Sequence, residues 1–215
     1  MEELDKLNTA FIKSKEKLAK VFSGKHSAPN KDSRLSPGQY LTEKFPVLDL
    51  GIKPDFDPKT WKLEVFGEVE SKKVFTYEDI LKMPKTFITK DFTCVTHWSK
   101  YDVKWAGVLW KDFIKYIKVK PTAKAVMFYG ADGYSTNNLL EDIENDTTLL
   151  AYSLDEQPLP RDHGYPLRVI IPHLYAWKGS KFLNRIEFMK DNKPGFWEIR
   201  GYHMRGNAKE EERYS

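Results

Sequence analysis

The chain has 215 residues, 40% hydrophobic, 31% charged and 14% aromatic, which is enough apolar material for one sizeable core and excludes a mainly disordered state. Its single cysteine, Cys94, excludes an intramolecular disulfide framework, so stability must come from packing. A total of 35 Lys+Arg against 31 Asp+Glu leaves a net charge of +4, the balance of a solvated surface rather than of a polyanion-binding tail, and nucleic acid is not an expected partner.

Leu4, Leu7, Phe11, Leu18 and Val21 recur at helical spacing with charged residues between them, which predicts an amphipathic helix over residues 3–22 that needs a partner surface. This N-terminus carries acids ahead of any base, no long apolar run and no paired arginines. Neither a signal peptide nor a membrane segment is expected, and the expected location is the cytoplasm. Residues 23–40 are rich in Ser, Pro, Gly and Lys and predict an irregular arm, so residues 1–40 are read as a helix and arm, and 41–215 as the compact domain.

Within that domain Trp61, Leu63 and Val65 alternate with Lys62 and Glu64, the pattern of a half-buried strand. Thr76 and Asp79 ahead of Ile80 and Leu81 form a capping box opening a short helix. Residues 86–93 suit a strand that ends at Cys94. Leu109, Trp110, Phe113, Ile114 and Ile117 mark a helical face that stops before Pro121. Further strands are predicted at 124–129, 147–152, 167–171 and 184–189, with a short helix near 138–144. Strands outnumber helices without regular alternation, so the predicted class is α+β, mixed and mostly β-sheet, with short helices and an N-terminal helical arm.

Three segments can carry chemistry. Cys94 opens Val95-Thr96-His97-Trp98-Ser99, where backbone leaves a sheet. Its thiol fits a buried small hydrophobe, a nucleophile helped by His97, a zinc ligand shared with histidines, or the one soft ligand of a cofactor-borne metal. His97, His163, His173 and His203 lack the short paired spacings of a tetrahedral site. The second segment, residues 155–181, places Arg168 inside the apolar run Leu167–Ile171. A buried guanidinium needs an anion, either an internal carboxylate or a bound phosphate or carboxylate. Gly179 admits close backbone approach, and Ser180 and Lys181 add a hydroxyl and a positive charge; the alternative is that these lysines lie on the surface. Third, Asp132-Gly133 marks a turn after which Tyr134 either points its hydroxyl into a cleft or packs on a rim.

Taken together, Phe92-Thr93-Cys94-Val95-Thr96, Trp105-Ala106-Gly107-Val108, Leu149-Leu150-Ala151-Tyr152, the run from Pro158 to Arg168, and Gly179-Ser180-Lys181 resemble the molybdopterin-binding catalytic domain of the sulfite oxidase family, over about residues 45–188. Pro194-Gly195-Phe196-Trp197-Glu198 and Arg200-Gly201-Tyr202-His203 resemble the C-terminal end of its short single-domain prokaryotic members. The resemblance implies that Cys94 ligates molybdenum beside the sulfurs of the pterin, a ligand set that tungsten also fits. It implies that His163, Arg168, Gly179, Ser180 and Lys181 hold the pterin and its phosphate, that Lys44 and Phe45 touch it from an early loop, and that Tyr134 is an active-site tyrosine. His97 and Trp98 would shape the substrate pocket.

The implied activity is two-electron oxygen-atom transfer on a small sulfur-containing, sulfite- or sulfoxide-like, or related substrate, with electrons exchanged through a separate partner protein. Sulfite-oxidising members carry an arginine shortly after the cysteine, where Ser99 and Lys100 stand here, a departure that bears on sulfite itself. Two other readings stay open at this point: a zinc- or thiol-dependent hydrolase using Cys94 and His97, and a non-enzymatic module that docks through the N-terminal helix and aromatic surface.

Overall fold

The computed structural model describes residues 8–215. Helix α1 (Thr9–Phe22) opens at Asn8, whose side chain accepts from the Phe11 N–H at 3.0 Å. Leu4 and Leu7 lie outside the described residues. The buried stripe of α1 is Ile12 and Ala19, whereas Leu18 and Val21 are exposed, which corrects the face drawn from the sequence. The helix is rotated so that Phe11 and Lys15, one turn apart, look along the protein surface toward the aromatic ring of Trp197. Among the described residues no helix is long and apolar enough to cross a membrane.

The strands are β1 (Tyr40–Leu41), β2 (Lys62–Gly67), β3 (Lys73–Thr76), β4 (Thr86–Thr93), β5 (Trp98–Leu109), β6 (Ala125–Gly130), β7 (Ser135–Leu139), β8 (Leu149–Leu154), β9 (Gln157–Pro158), β10 (Arg168–Ile170) and β11 (Leu183–Met189). They build two mixed sheets. One runs β1-β5-β8-β10, with β4 also on β5 and β9 also on β8; the other runs β3-β2-β11-β6-β7. Short helices α2 (Tyr77–Lys82), α3 (Trp110–Phe113) and α4 (Leu140–Ile143) connect them. The mixed, mostly β-sheet α+β class expected from the sequence is what the chain adopts.

Side-chain alternation decides which face of the first sheet does what. In β8, Leu150 and Tyr152 pack between the two sheets against Val65, Phe128 and Phe188, while Leu149, Ala151 and Leu154 join a second core with Cys94, Trp105, Trp177 and Trp197. In β10, Leu167 and Val169 belong to the inter-sheet core, and Ile170 to the second one. Arg168 shares the parity of Ile170, so its side chain must stand on the face that carries Cys94, and its guanidinium lies over the rings of Phe92 and Trp105 at 5.4 and 5.2 Å.

Local signals were reliable where they were strong. The capping box of α2 is present, with Asp79 N–H donating to Thr76 Oγ1 at 3.1 Å and Thr76 N–H to Asp79 Oδ2 at 2.8 Å. Strand β4 ends at Thr93, as read. Two expectations need correction. The helical face from Leu109 to Ile117 is a four-residue α3 followed by a 3-10 turn at Ile114–Tyr116, because Leu109 still belongs to β5. The helix near 138–144 begins only at Leu140, since Asn138 and Leu139 extend β7.

Candidate active site

Cys94 sits at the turn of the β4–β5 hairpin. Its N–H donates to the Trp98 carbonyl at 2.9 Å, and its own carbonyl accepts from the buried Gln39 side chain at 3.1 Å. The next carbonyl, of Val95, accepts from Arg213 Nη1 at 2.7 Å, while Nη2 of the same arginine reaches Pro37 at 2.8 Å. The cysteine turn is therefore tied down from the N-terminal arm and from the C-terminal tail. The Sγ faces Thr96 Oγ1 at 3.2 Å. Burial pushes the thiol pKa up, against the hydroxyl of Thr96 and the positive charges of Lys15 and Arg213, so the thiol on its own is a protonated, weak nucleophile.

His97 is not its base. It adopts a left-handed backbone with φ 73°, its Nδ1 lies 2.8 Å from the Gly38 carbonyl, and its side chain is exposed outside the cleft. The three-residue spacing that made a Cys–His pair conceivable is used up by the hairpin turn, which points the two side chains apart. Among the described residues no three His, Cys, Asp or Glu side chains gather to hold an ion, so the zinc reading has no ligand set there either.

Cys94 opens into a cleft also lined by Phe45, Trp98, Tyr134, His163, Arg168, Gly179 and Lys181. The tertiary structure thus brings together residues from five separate stretches of chain. Arg168 is 2% exposed, donates from Nη1 to the His163 carbonyl at 3.0 Å, and keeps a buried Nε with no acceptor. Among the described residues no carboxylate pairs with it, so the internal ion pair weighed from the sequence is not formed there. Desolvation pulls its pKa down to about 9, a measure of how poorly this charge is compensated by the protein alone. Lys181 is half-buried, donates to the Asp162 carbonyl at 2.7 Å, and is held down to about 8 by burial and then by Arg168. His163 packs on Phe45 with ring centroids 4.4 Å apart and is held near 4 by burial, Arg168 and Lys181, so it is neutral.

Gly179 meets the requirement for close approach, because a Cβ there would collide with the Val169 carbonyl oxygen. Tyr134 lines the cleft, but its hydroxyl donates to the Trp177 carbonyl at 2.5 Å, and burial raises its pKa well above the ordinary tyrosine value. Lys44 is exposed and Ser180 is buried with its hydroxyl on the Lys181 carbonyl at 3.0 Å; neither side chain lines the cleft. Ser99 is buried on Gln39 and Thr93, and Lys100 reaches the Glu43 carbonyl at 2.8 Å, so neither lines the cleft. Lys178, just ahead of Gly179, is wholly buried on Glu198 at 2.7 Å.

Sequence reasoning missed Phe11, Lys15, Asp132, Trp177, Trp197 and Tyr202, which complete the walls. The signals for them were the 14% aromatic share, the N-terminal helix in need of a partner surface, the Asp132-Gly133 turn and the C-terminal resemblance that includes Trp197 and Tyr202. Asp132 is buried and accepts from the Tyr134 N–H at 3.2 Å; desolvation raises it to about 6. A carboxyl raised from 3.8 to about 6 costs the fold little at pH 4, costs nothing well below 3.8, where it is neutral in both states, and costs most above pH 6, where it must ionise in place. The difference in melting temperature between Asp132→Asn and wild type, measured without added cofactor, should therefore be small at about pH 4 and favour the variant by pH 7. A difference that is flat with pH would contradict this placement.

Residues 50–197 match the family described as oxidoreductase molybdopterin binding domain. The chain is 39% identical over 196 residues to the uncharacterized oxidoreductase YuiH of Bacillus subtilis, covering 91% of this chain and 99% of that one. It is 28% identical to a putative protein-methionine-sulfoxide reductase subunit, YedZ1, of Azospira oryzae, covering 84% and 70%. Against rat mitochondrial sulfite oxidase it is 26% identical over 69% of this chain and 33% of that longer one. The fold is similar to the sulfane dehydrogenase SoxCD of Paracoccus pantotrophus, with a TM-score of 0.63 at 20% identity over 72% of this chain and 44% of that one. A buried thiol and an unpaired buried guanidinium facing one cleft, within a chain matched by that family over most of its length, identify it as a member of the molybdopterin-binding oxidoreductases of the sulfite oxidase type.

Proposed function

We propose that this protein transfers an oxygen atom to or from a small sulfur-containing substrate, with Cys94 holding the metal of a molybdopterin and Arg168 and Lys181 holding its phosphate. The observation that carries the reading is Arg168: a buried cation with an orphaned Nε and, among the described residues, no carboxylate partner is suited to an anionic group. The donor set fits the group. One soft sulfur ligand lies in the same cleft as two cations, a neutral His163 and a glycine that permits backbone approach.

When bound, the cofactor supplies the two-electron chemistry and the exchangeable oxygen. The chain's own residues position and insulate. The hydrogen bonds from Gln39 and Arg213 fix the backbone on either side of Cys94, and its burial keeps water from the sulfur. Arg168 stands close enough to Lys181 to lower its proton affinity, while burial alone lowers that of Arg168, and a shared phosphate would relieve both. Tyr134 keeps its proton over the physiological range and holds the Trp177 wall. Sulfur chemistry is favoured by the relatives' names, a methionine-sulfoxide reductase subunit and a sulfite oxidase. The one cysteine is taken by the proposed metal, and the reading includes a separate protein as electron partner.

The test is metal and pterin analysis of protein made in cells that synthesise the cofactor. Wild type should carry about one metal per chain, and Cys94→Ser should lose it while keeping its circular-dichroism spectrum. Elemental analysis also reads molybdenum against tungsten. Folded wild-type protein with neither metal nor pterin would sink the reading.

A further inference from the structure

The cleft holds a third cation that the cofactor reading does not use. Lys15 comes from α1, a segment remote in sequence from every residue proposed to hold the pterin, and it lines the same cleft as Cys94. It is half-buried, and among the described residues it has neither a hydrogen bond nor a carboxylate within ion-pair distance. The adjacent Glu16 points from a different side of the helix and pairs with Arg200 at 3.1 Å. The ammonium instead lies 5.4 Å from the centre of the Phe11 ring. The other lysines of α1, Lys13, Lys17 and Lys20, are exposed to solvent.

The helix that carries Lys15 is fixed in place. Asn8 N–H donates to the Leu50 carbonyl at 3.0 Å, Ile12 and Ala19 are buried, Arg200 grips Glu16, and Ser23 reaches the Ser215 carbonyl. No cation from the cysteine turn competes with it, since His97 and Lys100 point to backbone carbonyls outside the cleft. Phe11, Trp197 and Tyr202 line the same cleft, as do the carboxylates of Asp49 and Asp132, neither of them within ion-pair distance of Lys15. An unpaired charge in such a partly apolar setting acts more strongly on a ligand than it would in water.

We infer that Lys15 is a specificity-determining residue that binds a small oxyanion as substrate at the Cys94 end of the cleft. The inference rests on the cofactor reading above, which assigns Arg168 and Lys181 to the phosphate and leaves Lys15 facing the substrate.

Sulfate, an unreactive oxyanion, is the probe. It is titrated into holoprotein with stoichiometric metal and pterin, followed by calorimetry and by the fluorescence of the cleft tryptophans. Lys15→Met should weaken binding at least about tenfold, the loss of one charge-assisted contact. Lys15→Arg should stay within about threefold of wild type. Lys17→Met, on the solvent side of the same helix, should leave affinity unchanged; Lys15→Gln replaces the methionine variant if that one does not fold. Equal affinity in Lys15→Met at full cofactor loading, an equal fall in Lys17→Met, or no sulfate binding by wild type overturns the inference and leaves the cofactor assignment standing. Wild type that carries neither metal nor pterin overturns both.

Discussion

Glu198→Gln should lower the stability of the fold by about 3–5 kcal/mol, because it strands the ammonium of Lys178 in the interior. Both side chains of this pair are completely buried. The Lys178 Nζ uses all three donors, on Glu198 Oε1 at 2.7 Å, Asn137 Oδ1 at 3.0 Å and the Met204 carbonyl at 2.8 Å. Glu198 also accepts from Trp177 Nε1 at 3.0 Å and Thr136 Oγ1 at 3.1 Å. Glutamine can keep the hydrogen bonds but not the countercharge, and burial already pulls the lysine pKa down even with the glutamate present.

For a chain of this size the loss corresponds to a fall in melting temperature of roughly 10 °C. The double variant Lys178→Met with Glu198→Gln should recover part of it, since removing both charges removes the uncompensated one. A single variant that melts within about 2 °C of wild type would show that the pair contributes little. The pair matters for the cleft as well. Glu198 anchors the Trp177 indole and the Trp177 carbonyl anchors Tyr134, so a shift there moves a cleft wall.

Arg168→Met should separate stability from cofactor retention, moving them in opposite directions. Cofactor-free protein should gain about 1–3 kcal/mol, because an uncompensated buried charge is replaced by an apolar side chain of similar length. The donation to the His163 carbonyl and the contacts with Phe92 and Trp105 are lost, and these set the lower end of that range. Pterin retained through purification should fall at least about tenfold, the loss of one charge-assisted bidentate contact. Thermal melts of the cofactor-free forms and pterin fluorescence of the loaded forms read the two effects independently. A variant that is destabilised and retains pterin would mean that Arg168 serves packing and not the cofactor.

Features with a short-range cause were legible in the sequence. The capping box at Thr76 and Asp79, the end of β4 beside Cys94, and the apolar runs that became β6, β8, β10 and β11 each depend on residues within a few positions of one another. Strand β5 was not legible. Its pairing slips between Lys90 and Phe92 and again between Ala106 and Gly107, and Asp102 takes a left-handed φ of 53°, so no clean alternation survives along it. Strand β7 was hidden for another reason. Its buried Thr136, Asn137 and Asn138 read as loop residues, and they are tolerated inside only because Lys178 and Glu198, distant in sequence, satisfy them.

The sequence by itself determined the chemical kinds available: one thiol with no partner for a disulfide, one arginine set in an apolar strand, and a glycine-serine-lysine stretch after it. The resemblance those residues carry extends to the family. Only the tertiary structure decided that they face one cleft, that His97 turns away from it, and that α1 brings Phe11 and Lys15 to its wall. The physical reason is that residue chemistry and strand periodicity are local, whereas the meeting of β4, β10, α1 and the C-terminal segment is set by sheet register and core packing between positions far apart in the chain.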